Sequence, residues 1–232
     1  IDTPAGVDCS DHEVNLKILL DLAVRRGELD GPARDALMLE VTEDVTAHVL
    51  RDSFLQAQII AQEVQAAPEM LYAYEDLMAS LEGEGLLDRA AERLPGPEEM
   101  GERRRAGAGL ERPELAVLVA YAKRSLTDAL LESTLPDEAW VAEPALRGYF
   151  PPAVVERFGH LLPEHPLRRE LVATLLANDV VDALGPAFAC RLVVERTAAP
   201  ADVVRAFRIA RETTGAGELR GAVEALDGAL AD

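Results

Sequence analysis

Apolar residues return at steps of three and four along most of this chain, the spacing that lays a single stripe on a helix. The longest such stripe runs through Val45, Val49, Leu50, Phe54, Ala57, Ile60 and Val64, with Thr42 as its start signal. Ahead of it, the run 14–23 reads as a helix behind Ser10-Asp11-His12-Glu13. That tetrad has the form of a capping box, in which hydroxyl and carboxylate satisfy each other's end of the first turn. Gly27 is a fitting stop for this helix, and Asp30-Gly31-Pro32 starts a short second one with the proline near its first position. Ala66-Ala67-Pro68 is expected to break the long helix and to divide the chain into 1–66 and 67–232. Helices are then expected over 70–81 and 86–94, the latter ended by Pro95-Gly96-Pro97, with a basic, glycine-rich connector over 103–109.

The segment 115–133, opened by Arg112-Pro113-Glu114, is apolar on nearly every side in its first two turns and belongs at the centre of a bundle. Tyr149-Phe150-Pro151-Pro152 reads as a rigid connector. A second central helix covers 167–184, with Leu167, Leu171, Leu175 and Leu184 expected on its buried face. Gly185-Pro186 should kink or break it before Phe188 and Leu192, and two last helices should cover 201–213 and 218–230. Strand signals are nearly missing: aromatics make up 4% and no period-two alternation is sustained. No repeat of fixed period appears. The fold class expected is all-α, an irregular helical bundle.

Composition narrows the function classes. Among 232 residues, 23 Lys+Arg face 42 Asp+Glu, a net charge of −19. Phosphate contacts need clustered cations, so no nucleic-acid partner is expected. The longest apolar run, from Leu115 to Ala122, is too short to cross a bilayer, so no membrane role is expected. Cys9 and Cys190 form neither a metal-type pair nor a disulfide framework, which fits a reducing, cytoplasmic setting. The chain opens at Ile1 in a glycine-containing loop and reads as a piece of a longer polypeptide.

The opening stretch holds the densest candidate chemistry. A small-residue loop running into a helix N-terminus exposes backbone N–H groups, and the helix dipole there favours an anion. Ser10 adds a hydroxyl at the same place, so it reads either as an N-cap alone or as part of a carboxylate or phosphate site. No metal centre is expected: Cys9, Asp11, His12 and Glu13 point in different directions from a helix start, and no second cluster completes a coordination sphere. Cys9 as a nucleophile would need His12 as its base. His48, His160 and His165 are scattered and read as surface or capping residues, and Asn178 as a hydrogen-bonded core amide. Arg103-Arg104-Arg105 reads as a solvated face. No glycine pattern continues into a dinucleotide fingerprint.

Four blocks, in order, resemble the large NAD-specific glutamate dehydrogenases of bacteria. They are the run from Ala5 through Ser10 to Asn15, the run from Arg112 through Leu118 to Lys123, Tyr149-Phe150-Pro151-Pro152, and Leu167-Arg168-Arg169-Glu170-Leu171 with Ala177-Asn178 downstream. The resemblance implies oxidative deamination of L-glutamate to 2-oxoglutarate and ammonia, with hydride passing to NAD. It also implies that Ser10 helps bind the substrate's side-chain carboxylate. Thr3, Ala5 and Gly6 would then belong to the loop that touches the nicotinamide end of NAD. Thr3-Pro4 departs from the family's asparagine and small residue, and a threonine donates one hydrogen bond where an amide donates two. The catalytic lysine and aspartate and the NAD-binding turn of the family have no counterpart here, so no catalytic residue is expected in this chain and it should be inactive alone. Residues 1–66 would be the last helices of the catalytic core and 67–232 a helical C-terminal domain of a homo-oligomeric parent. A second reading keeps the helices as an interaction or regulatory module without chemistry of its own.

Overall fold

The computed structural model describes residues 4–196 and 198–226. Among these, every regular element is helical, in eleven α-helices and two short 3₁₀ segments. The first is α1 (Pro4–Arg25), followed through a turn at Gly27 by α2 (Gly31–Glu40). Asp30 caps α2 as its sequence foretells, its carboxylate accepting from the Ala33 backbone N–H at 2.8 Å, with Pro32 in the first turn.

The capping box at Ser10 does not form. α1 already starts at Pro4, so Ser10 lies well inside the helix, and Glu13 turns forward to Lys17 instead of back to Ser10. Pro4 is preset for a helix start, and the helix continues through Gly6 to Ser10, so the earlier signal prevails.

The 42-residue α3 (Thr42–Gly83) runs straight through Pro68, where a break was expected. Proline removes one helix hydrogen bond and crowds the preceding turn, so something else must hold the segment. Two contacts do so. The Tyr74 hydroxyl, on a fully buried side chain, donates to Glu63 Oε2 at 2.6 Å and ties the turns on either side of the proline. Buried Ala67 is pressed against Gly109, where a Cβ would stand 2.6 Å from the Ala67 Cβ and 2.8 Å from the Pro68 nitrogen. Only a glycine at 109 lets that loop close over the proline turn. The apolar stripe also shifts along α3: Leu50, Phe54 and Val64 are exposed, whereas Val45, Val49 and Ile59 are buried.

Segment 86–94 is a series of turns, not a helix. The Asp88 carboxylate accepts from the N–H groups of Ala90 and Ala91, and Arg93 takes a positive φ. An aspartate competing for nearby backbone donors favours a turn, and the two buried leucines, Leu87 and Leu94, anchor it. α4 (Pro97–Ala106) then covers much of the expected basic connector. Its arginines are not merely solvated: Arg103 pairs with Glu99 and Glu114, and Arg104 pairs with Glu75 while lying over the Tyr72 ring.

At the centre are α5 (Arg112–Leu131) and, after α6 (Ala139–Tyr149) and α7 (Pro152–Phe158), α8 (Arg168–Leu184). α5 opens on a true capping box, in which Glu114 accepts from the Glu111 N–H at 2.6 Å. α5 and α8 make the most extensive helix–helix contact in the molecule, as the apolar first turns of α5 require. The buried face of α8 is not the leucine stripe. Leu171 is buried, but Leu167 and Leu184 are exposed and Leu175 is half-buried, while Val172, Leu176 and Val180 are sealed. α8 packs against α3, α6 and α9 as well as α5, so its sealed face is set by these neighbours and not by the leucine spacing. Full burial of each sealed side chain contributes about 1.5–3 kcal/mol.

Gly185 ends α8 at φ +85°, with the Glu63 carboxylate where a side chain would stand. The expected break follows, and α9 (Pro186–Arg196) leaves in a new direction. α10 (Pro200–Thr214) and α11 (Ala216–Glu224) complete the fold; the expected end of the last helix at 230 lies outside the described residues. Among the described residues no single helix is long and apolar enough to cross a membrane.

Candidate functional site

Positions four apart on one helix share a face, and α1 turns Asp8, His12 and Leu16 toward the rest of the molecule. His12 is 2% exposed, which no apolar pattern foretells. Its ring stacks on that of Tyr149 at 4.3 Å and tilts against His48 at 5.5 Å. The Tyr149 hydroxyl donates to Asp11 Oδ2 at 2.8 Å and accepts from Asn15 Nδ2 at 3.0 Å, so α6 is fastened to α1 by a partly buried polar relay.

α3 supplies Asp52 opposite this face. One ligand-type atom each from Asp8, His12 and Asp52 lies within 4.8 Å of the others. Behind them α5 and α8 contribute the Lys123–Asp182 ion pair at 2.8 Å, on two largely buried side chains. The carboxylates repel one another in a poorly solvated setting. Burial first, then the charges of Asp8 and Asp182, push the Asp52 carboxyl up to about 6. Burial likewise raises Asp8, against the pull of His12, and lowers His12, which is therefore neutral at pH 7. A cavity of about 300 Å³ reaches the cluster, lined among others by His12, His48, Arg51, Asp52, Tyr149 and Arg208. Its arginines are engaged: Arg51 pairs with Glu224 and Arg208 with Asp179.

A second, more apolar cavity of about 450 Å³ lies between α1, α2 and the start of α3, lined by Cys9, Glu13, Lys17, Arg34, Met38 and Thr42 among others. Cys9 is exposed and opens to this cavity, whereas His12 lines the other, so the structure does not set them up as nucleophile and base.

Ser10, two residues from both Asp8 and His12, is on the far side of α1, exposed and lining neither of these cavities. Ala5 is exposed and Gly6 half-buried in the first turns, while Thr3 lies outside the described residues. The structure therefore gathers Asp8, His12, Asp52 and Tyr149 and leaves Ser10 apart from them. The i,i+4 spacing of Asp8 and His12 was the one sequence signal for this cluster; Asp52 had none. His165 departs from a surface reading as well. It is buried, with Nδ1 accepting from the Leu167 N–H at 3.1 Å and Nε2 donating to the Asn15 carbonyl at 3.2 Å. Asn178 is half-buried beside the Asp179 and Arg211 side chains rather than sealed in the core.

Fold and site together define an all-α assembly whose first helix joins a helical body through a buried polar cluster. Residues 107–232 match the family described as glutamate dehydrogenase, C-terminal, and the chain belongs to that family. Residues 1–63 match a second family, the catalytic domain of bacterial NAD-glutamate dehydrogenase. The chain is similar to the NAD-specific glutamate dehydrogenase of Pseudomonas aeruginosa, 42% identical over 91% of this chain and 13% of the relative. Proteins of the same description from Halomonas elongata and Mycobacterium tuberculosis are 40% and 37% identical over 98% and 94% of this chain, and 14% and 13% of the relatives. The chain thus spans about one seventh of the length of the curated relatives it matches. No solved structure matches.

Proposed function

We propose that this chain is the helical end of an NAD-dependent glutamate dehydrogenase, which deaminates L-glutamate oxidatively to 2-oxoglutarate and ammonia. The observation that carries the reading is the order of the two family matches, catalytic domain over 1–63 and C-terminal domain over 107–232, along one chain. In this reading 1–66 closes the catalytic core and 67–232 is the C-terminal domain, with α3 as the continuous beam between them. Alone, the chain holds no residue to carry hydride transfer, so it is inactive without the remainder of the enzyme. The parent works as a cytoplasmic homo-oligomer, a setting that the two free cysteines fit.

Ser10 is the substrate contact in this proposal, and Thr3, Ala5 and Gly6 form the loop that meets NAD. Exposure of Ser10 beside Val7 and Val14, two exposed apolar residues near it on α1, supports a face that meets the rest of the enzyme. Because Ser10 caps nothing, Ser10→Ala in the full-length parent should leave stability nearly unchanged. A lost hydrogen bond to a carboxylate costs about 1.5–3 kcal/mol of binding. The KM for glutamate should then rise roughly tenfold to hundredfold, with the KM for NAD little affected. Ser10→Asp should fold and fail to use glutamate, since a second carboxylate repels the first. Unchanged glutamate kinetics in both variants would remove Ser10 from the site.

A further inference from the structure

The buried seam between α1 and α3 presents a chemical problem that its own residues do not solve. Asp8, Asp52 and Asp182 bring three carboxylates into one region, and the ammonium of Lys123 is already taken by Asp182 at 2.8 Å. His12, 2% exposed, has no hydrogen-bond partner for Nδ1 among the described residues. Its Nε2 faces Asp8 Oδ1 at 3.9 Å, too far for a hydrogen bond. Nε2 is thus the ring nitrogen turned to the carboxylates without a hydrogen bond to them, and a neutral imidazole nitrogen so placed is the commonest kind of metal ligand.

The separations fit one ion. Zinc binds imidazole nitrogen and carboxylate oxygen at about 2.0–2.2 Å, which sets two of its ligands roughly 3–4.4 Å apart. The Nε2–Oδ1 distance of 3.9 Å falls inside that range, and the full trio, within 4.8 Å, needs a contraction of a few tenths of an ångström. Mixed nitrogen and oxygen donors select a borderline transition metal over Mg²⁺ or Ca²⁺, which prefer oxygen alone. The cavity of about 300 Å³ that reaches His12 and Asp52 gives an entry path and room for water in the remaining positions. His48, tilted against His12, borders the same space.

We propose that Asp8, His12 and Asp52 form a binding site for a divalent transition-metal ion of the Zn²⁺ class. The ion sits where α1 crosses α3 and clamps the first helix to the helical body. It neutralises the paired carboxylates and takes the His12 Nε2 that faces them as a ligand. Ser10, on the opposite face of α1, does not take part, so the clamp stands or falls independently of the glutamate contact.

Zn²⁺ titrated calorimetrically into the metal-free 232-residue chain should bind with one-to-one stoichiometry and raise the unfolding midpoint, because an ion held only by the folded state stabilises it. Asp52→Asn and His12→Gln should each weaken binding by more than about tenfold, at least the loss seen when metal sites are disturbed. Cys9→Ser with Cys190→Ser should leave it unchanged. Co²⁺ in place of Zn²⁺ should give a visible absorption band that His12→Gln removes. Should His12→Gln not fold by circular dichroism, Asp52→Asn decides, since Asp52 is only half-buried. No stoichiometric uptake, uptake that survives Asp52→Asn, uptake lost with the cysteines, or Mg²⁺ binding as tightly as Zn²⁺ would each overturn the proposal.

Discussion

The interface between α5 and α8 and the seam between α1 and α3 are both buried, yet they are built from opposite materials. The first is mostly apolar: Leu115, Leu118, Leu126, Val172, Leu176 and Val180 are each no more than 5% exposed, with the Lys123–Asp182 ion pair beside them. The second is polar, with Asp8, Asp11, His12, Asn15, Asp52 and Tyr149 meeting across three helices. An apolar interface is stabilised by the amount of surface it removes from water, and it tolerates exchange among side chains of similar volume. A polar seam adds little net stability, but each of its groups depends on a particular partner in a particular place. The helical body is thus held by area, and the orientation of α1 by specific bonds.

Truncations should separate the two regions most sharply. Leu118→Ala and Leu176→Ala each open a cavity in the apolar layer and should cost about 2–5 kcal/mol of unfolding free energy. Leu175→Ala, at a half-buried position, should cost clearly less. Equal losses at 175 and 176, read from urea midpoints, would contradict the face assigned to α8.

In the seam, Tyr149→Phe keeps the ring against His12 and deletes only the hydroxyl shared by Asp11 and Asn15. It should cost about 0.5–1.5 kcal/mol, the net worth of a hydrogen bond, because Asn15 Nδ2 keeps the Asp11 carbonyl and the exposed Asp11 turns to water. Hydrogen exchange should show the loss concentrated in α1, with α5 and α8 still protected. A uniform loss of protection would mean that the seam and the apolar layer unfold as one.

α3 connects both regions, and two changes probe it. Pro68→Ala restores a helix N–H at a solvent-exposed position and should raise the midpoint, by up to about 3 kcal/mol from propensity. If Pro68→Ala destabilises instead, the proline turn packs better than its missing hydrogen bond implies. Glu63 is the acid of the Tyr74 staple, and burial raises its carboxyl above the usual 4.5, against the lowering effect of the Tyr74 hydrogen bond. An acid with a raised folded pKa favours the native state most below its unfolded value. Its contribution is present in full below about pH 4.5 and is lost as pH rises through the raised folded value. The difference in stability between the wild type and Glu63→Gln should therefore change over that interval and stay flat above it. A difference independent of pH would show that Glu63 ionises as freely folded as unfolded. Smallest of all, Ser10→Ala in this chain should move stability by less than about 0.5 kcal/mol, as at exposed helix positions generally.

Much of the fold was legible before any coordinates. Asp30-Gly31-Pro32, Arg112-Pro113-Glu114 and Gly185-Pro186 each mark a helix boundary that is where it was read, because a cap or a ring acts within one turn of itself. The centrality of 115–133 was equally plain, since a segment apolar all round has no face to give to water, and 167–184 is central too, although on another face than its leucine stripe suggested.

Where the sequence misled, a local signal was overruled from a distance. Pro68 should end a helix, but Tyr74, Glu63 and the bare Gly109 hold it in one. Ser10-Asp11-His12-Glu13 has the letters of a capping box, but Pro4 starts the helix earlier. The leucine spacing of α8 looked like its buried face, yet Val172, Leu176 and Val180 are sealed while Leu167 and Leu184 are exposed. The site followed the same division: Asp8 and His12 advertise a shared face by their spacing, while Asp52 joins them only because α3 crosses α1 at that height. By itself the sequence determined the all-α class, several helix boundaries and the two central helices, because propensity, capping and periodicity are properties of neighbours in the chain. The tertiary structure alone decided which face of each helix is buried and which charges meet, because burial and desolvation are set by whatever packs against a residue from elsewhere.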